Sequence, residues 1–210
     1  MHPGVVTVSR PARLSSRPRP RRGTPRETRA RLVAAAAAEF NRVGYHGTDS
    51  NRLARAAGYA PGTFYKHFPD KRAVLLAAYE TWVTAEWDAI ARLVRENTRP
   101  SKVATSIVDM VVALHRRWRG LRASLRVLVA EDATARTFCR RQRRRQLALI
   151  AALRSARDRT RLRPREDDAV LLYTLERVCD AIAEGELRDL GLAVEPTIGV
   201  LRALVERSIG

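Results

Sequence analysis

The sequence predicts an all-α protein: a three-helix N-terminal domain holding a helix-turn-helix, then a longer C-terminal helical domain. Three observations lead there. Apolar residues recur at spacings of three and four along most of the chain, which places them on one face of a helix. No segment of useful length alternates apolar and polar residues as a half-buried strand does. Residues 47–68, GTDSNRLARAAGYAPGTFYKHF, fall into two short helical stretches separated by a Gly turn.

Residues 1–24 are rich in Pro, Ser, Arg and Gly, and Arg10, Arg13, Arg17, Arg19, Arg21 and Arg22 have no acid nearby. Such a segment cannot offset its ordering entropy by burial, so it is expected to be disordered, as a solvated tail or as an arm along DNA. Helix one starts near Pro25, with Leu32, Ala36, Phe40 and Val43 on one face, and Gly44 suits the left-handed position that ends it. Thr48 is placed to N-cap helix two, whose Leu53, Ala54 and Ala57 face inward and which stops at Gly58. Pro61 suits the first turn of helix three. Phe64 and Phe68 form the buried face of that helix, leaving Thr63, Tyr65, Lys66 and His67 on its other faces. Asp70 caps a helix over 71–96 whose two apolar stripes require neighbours on more than one side. Further helices are expected over 101–118, 121–131, 133–160, 165–188 and 196–208, with breaks at Gly120, Asp132, Pro164 and Gly191–Pro196. The domains are then the tail (1–24), the helix-turn-helix domain (25–72) and a second helical domain (73–210).

The formal net charge is +18, which favours a polyanionic partner, nucleic acid first and an anionic surface second. Residues 1–80 hold 15 basic against 5 acidic residues, and residues 81–210 hold 25 against 17, so the excess is densest around the helix-turn-helix. Lys occurs only at Lys66, Lys71 and Lys102; an Arg bias of this kind, beside abundant Ala and Val, reflects GC-rich coding as much as chemistry. Cys139 and Cys179 lack metal-ligand spacing and read as reduced buried thiols, with a redox switch as the alternative. No apolar run is long enough for a membrane span and no signal peptide is evident, so a cytoplasmic protein with no membrane partner is expected.

Residues 26–80 resemble the DNA-binding domain of the TetR (tetracycline-repressor-like) family of bacterial regulators. The matching elements run from Phe40-Asn-Arg-Val-Gly44-Tyr45 and Gly47-Thr48, through Leu53-Ala54-Arg55-Ala56-Ala57-Gly58, to the segment Ala60–Lys71. Ser50 stands where the family usually has an aliphatic residue, and Arg52 where an acid is common. The resemblance implies a dimeric, ligand-responsive transcriptional regulator, more often a repressor, that binds a palindromic double-stranded operator. It implies phosphate contacts from Thr48, Lys66, His67 and Lys71, close approach to bases or phosphate by Pro61, Gly62 and Thr63, and a Tyr65 ring on a thymine methyl with its hydroxyl on a phosphate; Arg52, as a departure from the family, adds a further phosphate contact.

Beyond residue 95 the likeness rests on helix count and length alone. Candidate residues lining a pocket for a small apolar or amphipathic effector are Trp82, Trp87, Met110, His115, Trp118, Phe138 and Tyr173, each of which could equally be core. The family's dimer interface, formed by the last two helices, maps onto two stripes: Leu171, Leu175, Val178 and Ile182, and Ile198, Leu201 and Val205, with intramolecular core as the other reading. Arg140, Arg141, Arg143, Arg144 and Arg145 read as a solvated face or an anionic partner's surface. No nucleophile elbow, phosphate loop or metal-spaced His/Cys set is present, so neither enzyme activity nor a cofactor or metal is expected. Glu166-Asp167-Asp168 fits the acidic first turn of a helix. The competing reading is a non-specific nucleic-acid or anionic-surface binder that uses the Arg-rich tail.

Overall fold

The first helix begins with a reciprocal cap. The Glu27 N–H donates to Thr24 Oγ1 at 3.2 Å while the Thr24 N–H donates to the Glu27 carboxylate at 2.9 Å. This opens α1 (Pro25–Val43), which closes at Gly44 (φ +75°), whose N–H donates to the Phe40 carbonyl. The computed structural model describes residues 23–97, 99–157 and 165–209; the Arg-rich tail and the break at Pro164 lie outside the described residues. After α1 come α2 (Ser50–Ala56), α3 (Pro61–Tyr65), α4 (Lys71–Glu96), α5 (Pro100–Arg117), α6 (Arg119–Glu131), α7 (Ala133–Arg157), α8 (Arg165–Glu184), α9 (Glu186–Asp189) and α10 (Val194–Ile209). The described residues form no strand, as expected.

Several boundaries differ from those expected. Asp49, not Thr48, caps α2: its Oδ1 accepts the Arg52 N–H at 2.8 Å, a charge-assisted bond at the positive end of the helix. Asp70 caps α4 as expected, accepting the Ala73 N–H at 2.7 Å. The break between α5 and α6 falls at Trp118, and Gly120 lies inside the first turn of α6. The segment 165–188 divides at Gly185, where φ is +90° and the chain turns into the short α9. Pro196 sits inside the first turn of α10, where a helix needs no N–H.

The apolar faces meet in three places. Leu32, Ala36 and Phe40 of α1, Leu53 and Ala54 of α2, Phe64 of α3, and Val74 and Leu75 of α4 form one core, to which α6 contributes Leu121 and Leu128. The helix-turn-helix is thus built onto the second domain as well as beside it. Tyr79, Trp82, Val83, Leu125 and Phe138 fill the middle. At the far end the second half of α4 packs with α5, α8 and α10 around Ile90, Val108, Ile182 and Leu201.

One side chain of α1 caps the start of α6. Asn41 Oδ1 of α1 accepts the N–H groups of Gly120 (2.9 Å) and Leu121 (3.1 Å), and its Nδ2 donates to the Arg117 carbonyl at 2.9 Å. The first turn of α6, whose N–H groups have no partner in their own helix, is capped by another helix. The fit is close, since a Cβ on Gly120 would lie 2.0 Å from the Asn41 carbonyl oxygen. Ser124 Oγ, 3.2 Å from the Phe40 carbonyl, adds a second tie one turn on. Asn41→Ala should cost about 1–3 kcal/mol, because it orphans two N–H groups. Gly120→Ala should cost a similar ~1–3 kcal/mol by forcing α6 off α1. Urea denaturation measures both; unchanged midpoints would mean the joint is slack.

Candidate nucleic-acid interface and buried cavity

The turn before α3 is set by Gly58, whose φ of +81° is a conformation that side chains other than Gly rarely adopt. The Tyr59 N–H then donates to the Ala54 carbonyl at 2.9 Å, and the chain enters α3 at Pro61. Phe64 is fully buried and Phe68 nearly so, with ring centroids 5.8 Å apart, and this pair seats the helix. Seating that edge leaves Tyr65 54% exposed, with Gly62 and Lys66 also exposed and Pro61, Thr63 and His67 half-buried. Lys66 has no ion-pair partner among the described residues. These six predicted residues are brought together on one short helix and its C-terminal turn.

Three others are held differently. Thr48 is buried, and its Oγ1 has no hydrogen-bond partner among the described residues, so the hydroxyl is not presented at the surface. Arg52 Nε lies 2.5 Å from Glu39 Oε1, so its charge is matched by a carboxylate on α1 that Arg42 shares. Lys71 points inward: its Nζ donates to the carbonyls of Tyr45 (3.0 Å) and Thr48 (3.1 Å) and lies 4.3 Å from the Tyr45 ring centroid. It fixes the loop before α2, and Thr48 and Lys71 thereby shape the reader from within. Sequence reasoning passed over Arg55, an exposed α2 cation with no carboxylate ion pair among the described residues.

Residues 32–78 match the model of bacterial regulatory proteins of the tetR family, from the middle of α1 into α4. The chain carries a tetR-family domain. No curated protein matches it. Among solved structures, the fatty acid degradation regulator FadR of Bacillus halodurans is 19% identical, with a TM-score of 0.67 over 89% of this chain and 96% of its own. FadR of Bacillus subtilis, in complex with stearoyl-CoA, is 14% identical, with a TM-score of 0.62 over 86% and 99%. A transcriptional regulator of the TetR/AcrR family from Thermobifida fusca is 16% identical, with a TM-score of 0.58 over 86% and 97%. At these identities the likeness shows the fold, and it extends the tetR-type architecture over both domains.

In the second domain, α4, α5, α7, α8 and α10 enclose an apolar cleft of about 800 Å³ with its open mouth included. Ile90, Val111, Ile150, Leu153, Leu171, Leu172, Leu175 and Val205 supply most of its wall. Of the seven residues predicted to line a pocket, Trp87 and His115 do so. Trp82 and Phe138 are buried in the central core, and Trp118 packs between that core and the N-terminal one. Met110 packs against the α5–α8–α10 core, while Tyr173 is 50% exposed, with the Arg143 guanidinium 5.2 Å from its ring centroid. Of the residues predicted for a dimer interface, four are buried within the chain and three are partly buried. Ile182, Ile198, Leu201 and Val205 are buried core, Val178 packs against that core, and Leu171 and Leu175 face the cleft. Val170 and Tyr173 of α8 and Val200 of α10 are left on the outside.

Buried charges surround the cleft. Asp180 accepts from Arg122 Nε (2.5 Å) and Nη2 (2.9 Å) and from Arg126 Nη1 (3.2 Å), and His115 Nδ1 lies 2.9 Å from it. Burial pushes the Asp180 carboxyl up, but the bonds from His115 and Arg122 outweigh this and hold it well below the usual carboxylate range. Burial also lowers the His115 pKa against the pull of Asp180, so the ring is neutral near pH 7 and Nδ1 carries the proton given to Asp180. Arg154 pairs with Asp168 at 2.8 Å, and Arg143 pairs with Glu176. Glu86 differs: it is 7% exposed, lines the cleft and has no hydrogen-bond or ion-pair partner among the described residues. Burial pushes its carboxyl up to about 8, with Arg122 and Arg143 opposing and Glu176 and Asp180 adding to the shift. Its place between Trp82 and Ile90, four residues from each on a buried face, was the signal available in the sequence.

Because the folded chain holds the Glu86 proton more tightly than the unfolded chain, the stability of the neutral form is fully present below pH 4.5 and lost as pH rises through about 8. Glu86→Gln should therefore stabilise the protein increasingly between pH 5 and pH 9, the interval spanning that shift. Paired melting curves across the range test this; a constant offset would mean Glu86 titrates normally.

Proposed function

We propose that the chain is a dimeric, ligand-responsive transcriptional regulator that binds a palindromic operator through α3 and leaves it when a small apolar or amphipathic molecule fills the cleft. Repression is the sign this mechanism fits, and the cytoplasm is where it operates. The observation that carries the reading is the short α3, seated by Phe64 and Phe68, with Tyr65 and Lys66 exposed and unengaged by ion pairs among the described residues. A helix in the major groove needs aromatic and hydrogen-bonding groups at base edges and cations on phosphates, and α3 offers both.

One such module makes few contacts, which favours two acting together. Five of the seven large apolar side chains left exposed among the described residues, Val170, Tyr173, Leu190, Leu192 and Val200, lie between Val170 and Val200 on or beside α8 and α10. Paired across a two-fold axis, this outer face would bury them and set two α3 helices at a fixed half-site spacing. The apolar cleft supports a ligand-gated reading, as does the stearoyl-CoA complex of the similarly folded Bacillus subtilis FadR. The Asn41 joint supplies a physical route, since α6 cannot shift without carrying α1.

Fragments selected from genomic DNA of the source should share a palindrome. Tyr65→Ala should weaken binding to it by about 1–3 kcal/mol, whereas Lys66→Ala should weaken binding to all sequences and lower the salt slope by about one. Unchanged affinity in both variants, measured by fluorescence anisotropy, would remove α3 from the interface. Val200→Arg should give a folded monomer in analytical ultracentrifugation with operator affinity lost; a dimer that persists would place the interface elsewhere.

A further inference from the structure

We infer that the cleft is built for an apolar ligand carrying a protonated amine, with Glu86 as the carboxylate that meets the ammonium group. The inference rests on the cleft being the effector site and names the chemistry of its occupant.

The argument is one of charge matching. An apolar wall sets the ligand's body, and the few polar groups set its head group. Every cation lining the cleft is already answered, Arg154 by Asp168, and His115 is bonded to Asp180 and neutral. Glu176 is taken by Arg143. Glu86 alone among the cleft's ionisable groups has no partner in the described residues. A carboxylate or phosphate head group would find no free cation and would face an acid. An ammonium would find an unpaired carboxyl in a mostly apolar wall, where a charge-assisted bond is strong. Trp87, next to Glu86 and also in the wall, presents an indole that attracts a cation.

The proton inventory gives a signature that steric fit alone does not. Glu86 is largely protonated at neutral pH, so an ammonium arriving beside it drives ionisation, and the carboxyl proton passes to the buffer.

The full chain is titrated calorimetrically at pH 7 with phenylhexylamine, phenylhexanol and phenylhexanoate, three probes of one shape. The amine should bind at least about tenfold more tightly than the alcohol, with the carboxylate weakest. Its apparent enthalpy should vary with the ionisation enthalpy of the buffer, reporting proton release. Glu86→Gln should abolish both the amine's preference and the proton release while leaving the alcohol's affinity unchanged. Equal binding of amine and alcohol, or a preference that survives in Glu86→Gln, overturns the inference and leaves the cleft as an effector site for another ligand. If none of the three binds, or if binding is indifferent to Leu172→Trp, which fills the cleft, the effector-site reading fails and the inference fails with it.

Discussion

The second domain is organised around one buried carboxylate. Asp180 lies on α8, and its two oxygens take Arg122 and Arg126 from α6 and His115 from α5, so a single group ties three helices. Such a site is stable only while every partner stays in place. Removing one from a buried ion pair costs about 3–5 kcal/mol, because the remainder is left charged and dry. The apolar surfaces of α5, α8 and α10 would pack in several registers, and hydrophobic contact alone is undirected. Asp180 favours the register in which all three partners reach it. In that register α6 stands where its first turn can be capped by Asn41, and so where the DNA-binding domain can dock.

Two unlike joints therefore act in series. The Asp180 cluster fixes α6 against α5 and α8 by charge, and the Asn41 cap fixes α6 against α1 by hydrogen bonds and close backbone contact. The core that seats α3 includes Leu121 and Leu128, both on α6. The cleft lies beyond the first joint and the reading helix beyond the second. α4 reaches both regions, from Val74 and Leu75 under α3 to Ile90 and Val94 in the cleft wall, whereas α6 meets the cleft only through the Asp180 cluster.

The sequence was most legible where local chemistry decides the outcome. Pro61 at a helix start, Gly44 and Gly58 at helix ends, Asp70 as a cap and Phe64 with Phe68 as a buried pair all act within a turn or two of chain. The tetR-type motif added specificity there. Legibility fell where a residue's role is set by a partner distant in sequence. Lys71 looked like a phosphate contact until Tyr45 and Thr48 claimed its ammonium, and Arg52 until Glu39 did. The stripes of α8 and α10 were read correctly as apolar, but periodicity cannot say which of two neighbours a stripe faces. Ile182 and Leu201 face inward, and it is Val170 and Val200 that are left outside. Asp180 and Glu86 gave little warning because each meaning depends on who stands opposite, three partners in one case and none in the other.

The length of α4 has a mechanical meaning of its own. Its 26 residues run from Lys71, against the loop before α2, past Glu86 and Trp87 in the cleft wall to Val94. An α-helix is stiff and rises about 1.5 Å per residue, so this rod is about 39 Å long. Rotating such a rod by about 5° about one end moves the other by about 3.4 Å, the rise of one base pair along a strand. A tilt that small at the cleft end is within what a single misplaced ring or methyl group can force, because a close-packed wall cannot compress around it. At the other end, beside the loop before α2, it is a displacement of one base-pair rise. The length of the rod thus turns a small rotation at one end into a displacement of atomic size at the other.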